Sequence, residues 1–529
     1  MKQQRFSFND FQFSSEIIRD FVEESPKVAP FLESFYSYEN GKKKALNKTF
    51  STEERSRLVQ ALEEQYDGIT TSEKTADNIA ALKRDSTYTI TTGHQLNLIT
   101  GPLYSLYKIL QVITIADKWN ARGTDRFVPV FWMATEDHDF EEINHLHLFN
   151  DKITWEKEGQ EDHITGEIRL NGINEFLDEI RSKFNDDSIK EPLEEILANY
   201  VESENLATAT RGLVNQLFGK YGLVIIDGND RALKKAFAPV AKREIEEQLT
   251  FNEVSSTNKE LDAAGYHQQV YLRECNLFYI DKEHKRIRIG LENGEFKLGD
   301  EAISRESLLN RLANDPASFS PNALLRPVYQ EMVLPNVAYI GGGGEIAYWL
   351  QLKGVFQALN IPFPLLRVRD SFIYLNERQQ EDLEELGLSL VDLKRDYHDL
   401  LKAIALDEVQ IEIELDQEKS ALKEIESQLH DKVAHINKGL LSMVGAEFTK
   451  MEKSLERIET KIIKAEKSRH DKKGKNIKRL QQKVFPNGGF QERHENILMY
   501  FFREANFIEN LHQALKGTAD KPYIHVINS

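Results

Sequence analysis

FVPVFWMATEDHDFEEINHLHLF, residues Phe127–Phe149, places an unbroken apolar run directly before a dense group of acids and histidines. The segment Arg126–Thr135 has no polar side chain between its second and ninth residues, which is typical of a strand buried on both faces of a parallel sheet. In open sheets of that kind, ligands bind beyond the carboxyl ends of the strands. The stretch therefore predicts a buried parallel strand with a functional site at its end.

Strand-like and helix-like segments alternate on either side of this stretch. Ser86–Thr92 is rich in β-branched and aromatic residues, and apolar residues recur at helical spacing from Leu103 onward. Such alternation is typical of a parallel sheet with helices on both faces. The sequence therefore predicts an α/β fold with a doubly wound parallel sheet. Further strands are predicted in YGLVIID (221–227), NVAYIGGGG (336–344) and IPFPLLRVRD (361–370).

Composition divides the chain into a core, a helical region and a C-terminal segment. The core is predicted over residues 1–375, with insertions at about 150–215 and 255–325. The first insertion is polar and helix-like, whereas the second alternates apolar and polar residues around an ENGE turn, which predicts a small antiparallel sheet. Residues 376–485 are predicted to form the helical region, and residues 486–529 are predicted to pack back on the core because they regain apolar density.

The helical region carries a heptad pattern. Its apolar residues step by threes and fours and are surrounded by Glu and Lys, which predicts a coiled coil. The intervening NKGLLSMVGAEF (437–448) is either the turn of an antiparallel hairpin or a continuation of one helix. The apolar positions are Leu422, Ile425, Leu429, Val433, Ile436 and Leu440, then Phe448, Met451, Leu455, Ile458, Ile462 and Ala465.

Charge and cysteine content restrict the function classes. A net charge of −18 argues against duplex nucleic acid as a partner, because such binding needs a basic surface. No apolar run approaches the roughly 18 residues of a membrane-spanning helix, and residues 1–21 lack the apolar centre of a signal peptide, so no membrane association is expected. The single cysteine, Cys275, excludes a multi-cysteine zinc site and is better explained as a buried thiol than as a nucleophile. We therefore expect a reducing, cytoplasmic location.

TTGHQ, at the end of the first predicted strand, is one candidate site. It places Gly93, His94 and Gln95 where a helix is expected to begin. Glycine lets a ligand approach the backbone, and the free N–H groups of a helix start favour phosphate or carboxylate. His94 and Gln95 can donate hydrogen bonds to a developing negative charge. The alternative is a glycine turn with a capping histidine.

TEDHD is the second candidate site and contributes Glu136, Asp137, His138 and Asp139. Carboxylates bind an amine, a sugar hydroxyl or a metal ion, and histidine transfers protons near neutral pH. A metal site is a competing interpretation, since His138 and His145 are seven residues apart and share a face if the segment is helical. No HExxH spacing is present, and we predict no metal site here.

GGGGE is the third candidate site, and it fits neither the P-loop nor the GxGxxG pattern. Consecutive glycines let a nucleobase or ribose lie against the backbone, and Glu345 can accept hydrogen bonds from hydroxyls. Upstream, Arg326 and Gln330 are candidates for binding a carboxylate substrate. The alternatives are a structural tight turn and a surface salt bridge. The glycines are Gly341, Gly342, Gly343 and Gly344.

Three long segments together resemble one known family. TTGHQLNLITGPLYSLYKI (91–109), VPVFWMATEDHDFEEINH (128–145) and LLRPVYQEMVLPNVAYIGGGGEIAYWLQLK (324–353), followed by a coiled coil, are similar to the bacillithiol-biosynthesis cysteine-adding enzymes, which are cysteine ligases. The resemblance implies a Rossmann-like core related to class I aminoacyl-tRNA synthetases, connecting-peptide insertions and a coiled-coil domain used for homodimerisation. It also implies that cysteine's carboxyl is joined to the amine of glucosaminyl-malate, with ATP or another nucleotide as activating co-substrate.

A ligase of this kind predicts roles for the candidate residues. His94 and Gln95 are expected to stabilise a transferring phosphoryl group. Asp137, His138 and Asp139 are expected to bind an amine of either substrate, with His138 as the base. No metal ion is expected beyond the Mg²⁺ that accompanies a nucleotide. The remaining candidates are Gly93, Gly341, Gly342, Gly343, Gly344 and Glu345 for the nucleotide, and Glu136, Asn97, Arg326 and Gln330 for the substrates.

Two other functions remain compatible with the residues. One is a metal-dependent hydrolase that uses His138, Asp139 and His145. The other is a non-catalytic coiled-coil scaffold that retains a ligand pocket in its α/β core.

Overall fold

The chain forms two compact units. The larger comprises Gln3–Ile373 and Glu492–Val526, and the smaller consists mainly of Tyr374–Gln491. The structure is a computed structural model that describes residues 3–11, 15–149, 151–157, 159–160, 162–408, 415–469, 471–504, 506–517 and 521–528.

A five-stranded parallel sheet forms the centre of the larger unit. Numbered along the chain, its strands lie side by side in the order fifth, fourth, first, second, third. The strand order reverses between the first and fourth strands, so the sheet is a doubly wound, Rossmann-like sheet, and its switch point is where such folds bind ligands. The predicted fold class is confirmed. In spatial order the strands are Leu365–Val368, Asn336–Gly341, Thr87–His94, Arg126–Met133 and Val224–Asp227.

The first core strand extends further than its sequence suggests. In the parallel ladder Gly93 pairs with Trp132 and His94 with Met133, so the backbone at Gly93 is part of the sheet. The prediction that a helix begins at Gly93 is therefore wrong. The chain turns instead through residues 99–101, whose φ angles are +47°, +63° and +65°, and the helix begins at Tyr104.

Helices cover both faces of this sheet. Tyr104–Asn120 packs on the first two core strands, with almost all of its side chains buried. Within the described ranges, no helix combines the length and the apolar character needed to cross a membrane. The helices of the larger unit outside the insertions are Phe8–Phe11, Glu16–Val22, Tyr38–Asn47, Thr52–Gln65, Glu73–Ala81, Tyr104–Asn120, Phe140–Ile143, Arg231–Glu247, Leu249–Ala263, Arg326–Val333, Gly343–Trp349, Lys353–Ala358, Leu498–Phe501 and Phe507–Lys516.

The segment that follows the second core strand contains a hairpin and three helices. Strands His145–Leu148 and Asp151–Thr154 pair antiparallel. They are followed by helices Ile173–Ser182, Asp187–Val201 and Leu206–Phe218.

A second antiparallel sheet is formed by the part of the sequence between the third and fourth core strands. Its ENG turn places Asn293 and Gly294 at φ +53° and +84°, the left-handed pair that tight hairpins require. The strands are Leu277–Ile280, Arg286–Glu292, Glu295–Leu298, Glu301–Ile303 and Phe319–Pro321, with helix Arg305–Asn314, while Gln3–Phe6, Ser371–Leu375 and Ile524–Asn528 form a separate small sheet.

The smaller unit contains an antiparallel helical hairpin. Helix Asp416–Ile436 packs on helix Leu441–Arg469 after a short 3₁₀ turn. Lys419 Nζ lies 2.8 Å from a Glu459 carboxylate oxygen, and Lys423 Nζ lies 3.7 Å from Glu452. The later lysine of the first helix pairs with the earlier glutamate of the second, as in an antiparallel pair. Residues 437–448 therefore include a turn and do not continue one helix. The other helices are Glu377–Leu386, Tyr397–Glu408 and Asp471–Val484.

The apolar residues of the heptad pattern differ in burial within this hairpin. Leu422, Val433, Phe448 and Leu455 are partly or fully buried. Other apolar side chains of the same pattern, and Met443 in the segment between its two halves, stay exposed, and we call them the outer stripe. Its members are Ile425, Leu429, Ile436, Leu440, Met443, Met451, Ile458 and Ile462.

Candidate functional site

A two-lobed cleft lies at the carboxyl ends of the core strands, within the larger unit. One lobe is lined by glycines of GGGGE, and we call it the glycine lobe; its volume is about 350 Å³. The other is lined by residues of TEDHD and of the second antiparallel sheet, and we call it the hairpin lobe; its volume is about 450 Å³. Trp132, Ala134 and Arg326 line both lobes, so the two adjoin. The segments TTGHQ, TEDHD and GGGGE therefore meet at one cleft.

The glycine lobe lies at the switch point of the sheet. Of the glycines in GGGGE, Gly342 and Gly344 line it, whereas Gly341 and Gly343 do not. A Cβ on Gly343 would lie 3.5 Å from Ile18, so that residue faces a helix instead. The residues lining this lobe alone are Gly93, His94, Gln95, Tyr104, Lys108, Tyr339, Gly342, Gly344, Glu345, Arg369 and Arg493.

A buried ion pair joins the ends of the first and fourth core strands. Lys108 Nζ lies 2.7 Å from Glu345 Oε2 and donates to Gly93 O at 2.6 Å. Glu345 also accepts from Gly342 N at 2.8 Å and from the Tyr339 hydroxyl at 2.9 Å. Burial opposes ionisation of Glu345, but Lys108 and the hydrogen bond from Gly342 together outweigh it, and the pKa of Glu345 falls to about 2. Both carboxylate oxygens are thus engaged in fixing the glycine turn.

His94 is a neutral imidazole in this lobe. Burial, helped by the charge of Lys108, lowers the pKa of His94 to about 3. Its ring lies edge-on to Tyr104, with 5.1 Å between centroids. Its Nε2 atom is buried and has no hydrogen-bond partner among the described residues. A ligand in the glycine lobe can supply that partner.

Asp137 connects the two lobes. Gln95 Nε2 donates to Asp137 Oδ2 at 2.7 Å and to Glu142 Oε2 at 2.8 Å, which engages both amide protons of Gln95. Burial alone would raise the pKa of Asp137, but hydrogen bonds from His138 and Gln95 and the charge of Arg286 lower it to about 2. Asp137 is therefore a fixed carboxylate at neutral pH.

The hairpin lobe contains the other members of TEDHD. His138 Nδ1 lies 3.7 Å from Asp137 Oδ1 and 3.4 Å from Arg286 Nη1. Asp139 is exposed, whereas Glu136 is buried and paired with Lys234 at 3.0 Å. The residues lining this lobe alone are Glu136, Asp137, His138, Asp139, Val270, Tyr271, Arg273, Cys275, Asn276, Leu277, Phe278, Arg286, Arg288, Pro321, Asn322, Ala323 and Tyr348.

The acids and histidine of this lobe are close enough to hold a cation. Ligand atoms of Asp137, His138 and Asp139 lie within 4.8 Å of one another, and His145 is not part of that group. The helix after Asp139 is a single turn that ends at Ile143, and His145 begins a strand. The prediction that His138 and His145 share a helix face is therefore wrong. The Arg286 guanidinium, 3.6 Å from Asp137, already supplies a positive charge there.

Three further candidates support the cleft to different extents. Arg326 lines both lobes, and its Nη1 donates to Gln330 Oε1 at 2.9 Å. Gln330 is fully buried and does not line the cleft. Asn97 is also buried outside it and donates to Glu142 O at 3.4 Å. Gln330 and Asn97 therefore hold other residues in place instead of facing a ligand.

Cys275 lines the hairpin lobe but is buried, and that burial raises the pKa of its thiol. It is a protonated thiol at neutral pH, as the prediction of a buried, unreactive cysteine requires.

Sequence reasoning missed several cations of the cleft. Lys108 had a readable signal, since it is a lone charge on the apolar face of a helix. Arg286 and Arg288 alternate with isoleucine in RIRI, which places both on one face of a strand. Arg273 lies in an irregular segment and Arg493 ends the three-residue 3₁₀ helix Gln491–Arg493, and neither carries a comparable pattern.

Comparisons with known proteins cover almost the whole chain. The model of the N-terminal Rossmann-like domain of bacillithiol biosynthesis BshC matches residues 1–370, and that of its C-terminal coiled-coil domain matches residues 372–525. Curated relatives carry the name "Putative cysteine ligase BshC". One from Flavobacterium johnsoniae is 39% identical over 94% of this chain and 94% of the relative. Relatives from Flavobacterium psychrophilum and Christiangramia forsetii are 39% and 36% identical, covering 93% and 94% of this chain and 93% of each relative.

Proposed function

Because the chain belongs to the bacillithiol-biosynthesis BshC family, we propose that it is a cysteine ligase. It joins the carboxyl of L-cysteine to the amine of glucosaminyl-malate in the last step of bacillithiol biosynthesis. The proposal rests on the family match along both units. It also rests on the cleft of the larger unit, which is lined by ionisable residues of TTGHQ, TEDHD and GGGGE. The ligase forms a carbon–nitrogen bond and needs groups for a carboxylate, an amine and an activating co-substrate.

The glycine lobe suits a nucleotide. Condensing a carboxylate with an amine in water is uphill, and ATP or another nucleotide would supply the activation. Gly344 leaves open space where a side chain would stand, and the unpartnered Nε2 of His94 offers a hydrogen-bonding position. Arg326 and Arg493 place positive charge around the same lobe, as phosphate groups require.

The hairpin lobe suits the amine. Asp139 is an exposed carboxylate able to attract an ammonium group, and His138 beside it can take the proton that the amine must lose before it attacks. Asp137, held ionised by Gln95 and Arg286, orients His138. In this proposal Gln95 is a positioning residue instead of a direct phosphoryl donor, because both its amide protons are engaged.

Direct assay tests this function. The purified protein is incubated with cysteine, glucosaminyl-malate and either ATP or another nucleoside triphosphate, and the mixture is analysed by mass spectrometry. We expect a product with the mass of both substrates minus one water, formed only when a nucleotide is consumed. Absence of that product with every nucleotide, from protein that still binds the substrates, would rule the ligase function out.

We also propose that the smaller unit joins two copies of this chain. The outer stripe exposes apolar side chains on both helices of the hairpin, for example Ile425 and Ile458, each half exposed. Exposed apolar side chains that recur at heptad spacing typically mark a protein–protein interface. A second copy presents the same heptad-spaced stripe, so an isologous pairing of two hairpins covers both.

A further inference from the structure

The wall of the hairpin lobe that belongs to the second antiparallel sheet is rich in arginine. Arg286 and Arg288 are two residues apart on one strand and share its face, and Arg273 lies in the segment before that sheet. All three line the lobe. The cation–π geometry is consistent with this placement, since the Phe278 ring lies 4.1 Å from Arg286 and 5.7 Å from Arg288.

Arg286 is already engaged by the protein. It donates to Pro321 O at 2.8 Å and to Ser320 Oγ at 3.3 Å, and it lies 3.6 Å from Asp137. Its side chain is 8% exposed. Arg286 therefore belongs to the framework that fixes Asp137 and His138.

Arg273 and Arg288 differ from Arg286 in their exposure and in their lack of a carboxylate partner. Both side chains are exposed, and neither forms an ion pair with a carboxylate of the described residues. Partial burial and then the charge of Arg273 lower the pKa of Arg288, while Asp139 opposes that shift. Two guanidinium groups thus share one wall of the cleft, and neither is in ion-pair contact with a carboxylate of the described residues. Like charges in that position are stabilised when an anion binds between them.

We propose that Arg273 and Arg288 bind the two carboxylates of a dicarboxylate group on the amine-bearing substrate. A guanidinium group is suited to a carboxylate because it can donate two parallel hydrogen bonds. Asp139 and His138 line the same lobe and are the groups that can bind the amine. The charge pattern therefore fits a molecule with an amine at one end and a dicarboxylate at the other, which matches an amino sugar linked to malate. This inference rests on the proposed ligase function and assigns a subsite within it.

Binding to the resting protein gives the first test. Calorimetry would compare glucosaminyl-malate, its dimethyl ester and free L-malate on the wild type, Arg273→Gln, Arg288→Gln and the double variant. We expect each single variant to weaken glucosaminyl-malate binding about tenfold and the double variant about a hundredfold, as loss of charge-assisted hydrogen bonds does. The ester should bind wild type and variants equally weakly. Arg305→Gln, an exposed arginine of the same insertion outside the cleft, is the matched control.

Binding of free L-malate shows whether the two arginines recognise the dicarboxylate alone or only when it is attached to the sugar. Binding of L-malate that the double variant abolishes shows a site for the dicarboxylate group itself. Binding of glucosaminyl-malate alone, also lost in the double variant, shows that the sugar must position that group. Both outcomes support the subsite, whereas unchanged binding of glucosaminyl-malate to the double variant overturns it.

Turnover distinguishes failure of the subsite from failure of the ligase function. In the double variant we expect KM for glucosaminyl-malate to rise about a hundredfold, with KM for cysteine and the nucleotide unchanged. Ligation by the double variant with unchanged KM would overturn the subsite and leave the ligase function intact. Arginine-dependent binding without any ligation by the wild type would retain the subsite and overturn the ligase function.

Discussion

Residues of the cleft owe their protonation states to their surroundings. His94 and Asp137 both have lowered pKa values, near 3 and near 2, but for opposite reasons. Burial disfavours the charge on His94, whereas hydrogen bonds and Arg286 stabilise the charge on Asp137 against the effect of burial. A neutral donor and a fixed anion therefore stand on either side of the space where the proposed reaction occurs.

His138 is the residue whose loss should affect chemistry most. His138→Asn should lower kcat by about 10²–10⁴-fold, because an amide cannot take the proton from the attacking amine. The measurement is the steady-state rate of product formation, with thermal unfolding to show that the fold is retained. His145→Asn is the matched control and should retain full activity, since His145 does not line the cleft. Equal activity of His138→Asn and wild type would remove His138 from the mechanism.

His94 should make the protein sensitive to acid. Its folded pKa of about 3 lies below its usual value, so its contribution to stability is fully present above the usual pKa and is lost as the pH falls toward the folded one. His94→Gln lacks this proton uptake. From about pH 7 to about pH 5, the wild type should therefore lose about 2 kcal/mol more unfolding free energy than His94→Gln does. Chemical denaturation at the two pH values measures the difference, and parallel losses would contradict the burial of a neutral His94.

At the scale of elements, one helix anchors two strand ends. Lys108 on Tyr104–Asn120 contacts the end of the first core strand through Gly93 O and the turn after the fourth through Glu345. The glycine lobe therefore keeps its shape only while this ion pair is intact.

Lys108→Met should destabilise the protein by about 3 kcal/mol, because it leaves the Glu345 carboxylate without its cation in a largely buried position. The double variant Lys108→Met with Glu345→Gln should recover part of that loss, since it removes both charges. Lys74→Met, at a surface ion pair with Asp117, should change stability by less than about 1 kcal/mol. Denaturant unfolding measures all three, and a Lys108→Met variant as stable as the Lys74→Met variant would contradict the anchoring role.

The core strands were predictable because their apolar runs are followed by glycine or acidic residues. Arg126–Thr135, for example, is followed by Glu136. The start of the helix after Gly93 was not, since a glycine that breaks a pattern can equally stay in a parallel ladder. Arg273 and Arg288 escaped prediction because only tertiary contacts bring an antiparallel insertion to the ends of the core strands. Local periodicity in the sequence predicts the helices and strands. Which arginines and lysines line the cleft depends on contacts between residues that are far apart in the sequence.

At the scale of the whole molecule, the same heptad pattern specifies an intramolecular hairpin and an exposed stripe. Ile425→Glu with Ile458→Glu should convert the proposed dimer to a monomer, because two charges would be buried in an apolar interface. Lys453→Glu, an exposed polar position on the same hairpin, is the control and should remain a dimer. Analytical ultracentrifugation measures the mass in solution. A wild type that sediments as a monomer at all concentrations would exclude this use of the stripe.

Activation of cysteine's carboxyl within this cleft is the central claim, and isotope transfer tests it most directly. Cysteine labelled with ¹⁸O in both carboxylate oxygens is ligated to glucosaminyl-malate, and the products are analysed by mass spectrometry. We expect one ¹⁸O in the new amide and the other in the phosphorus-containing leaving group, either a nucleoside monophosphate or inorganic phosphate, because the carboxylate oxygen must bond to phosphorus before the amine displaces that group. Release of that oxygen only into water, with no label in any nucleotide product, would contradict the account.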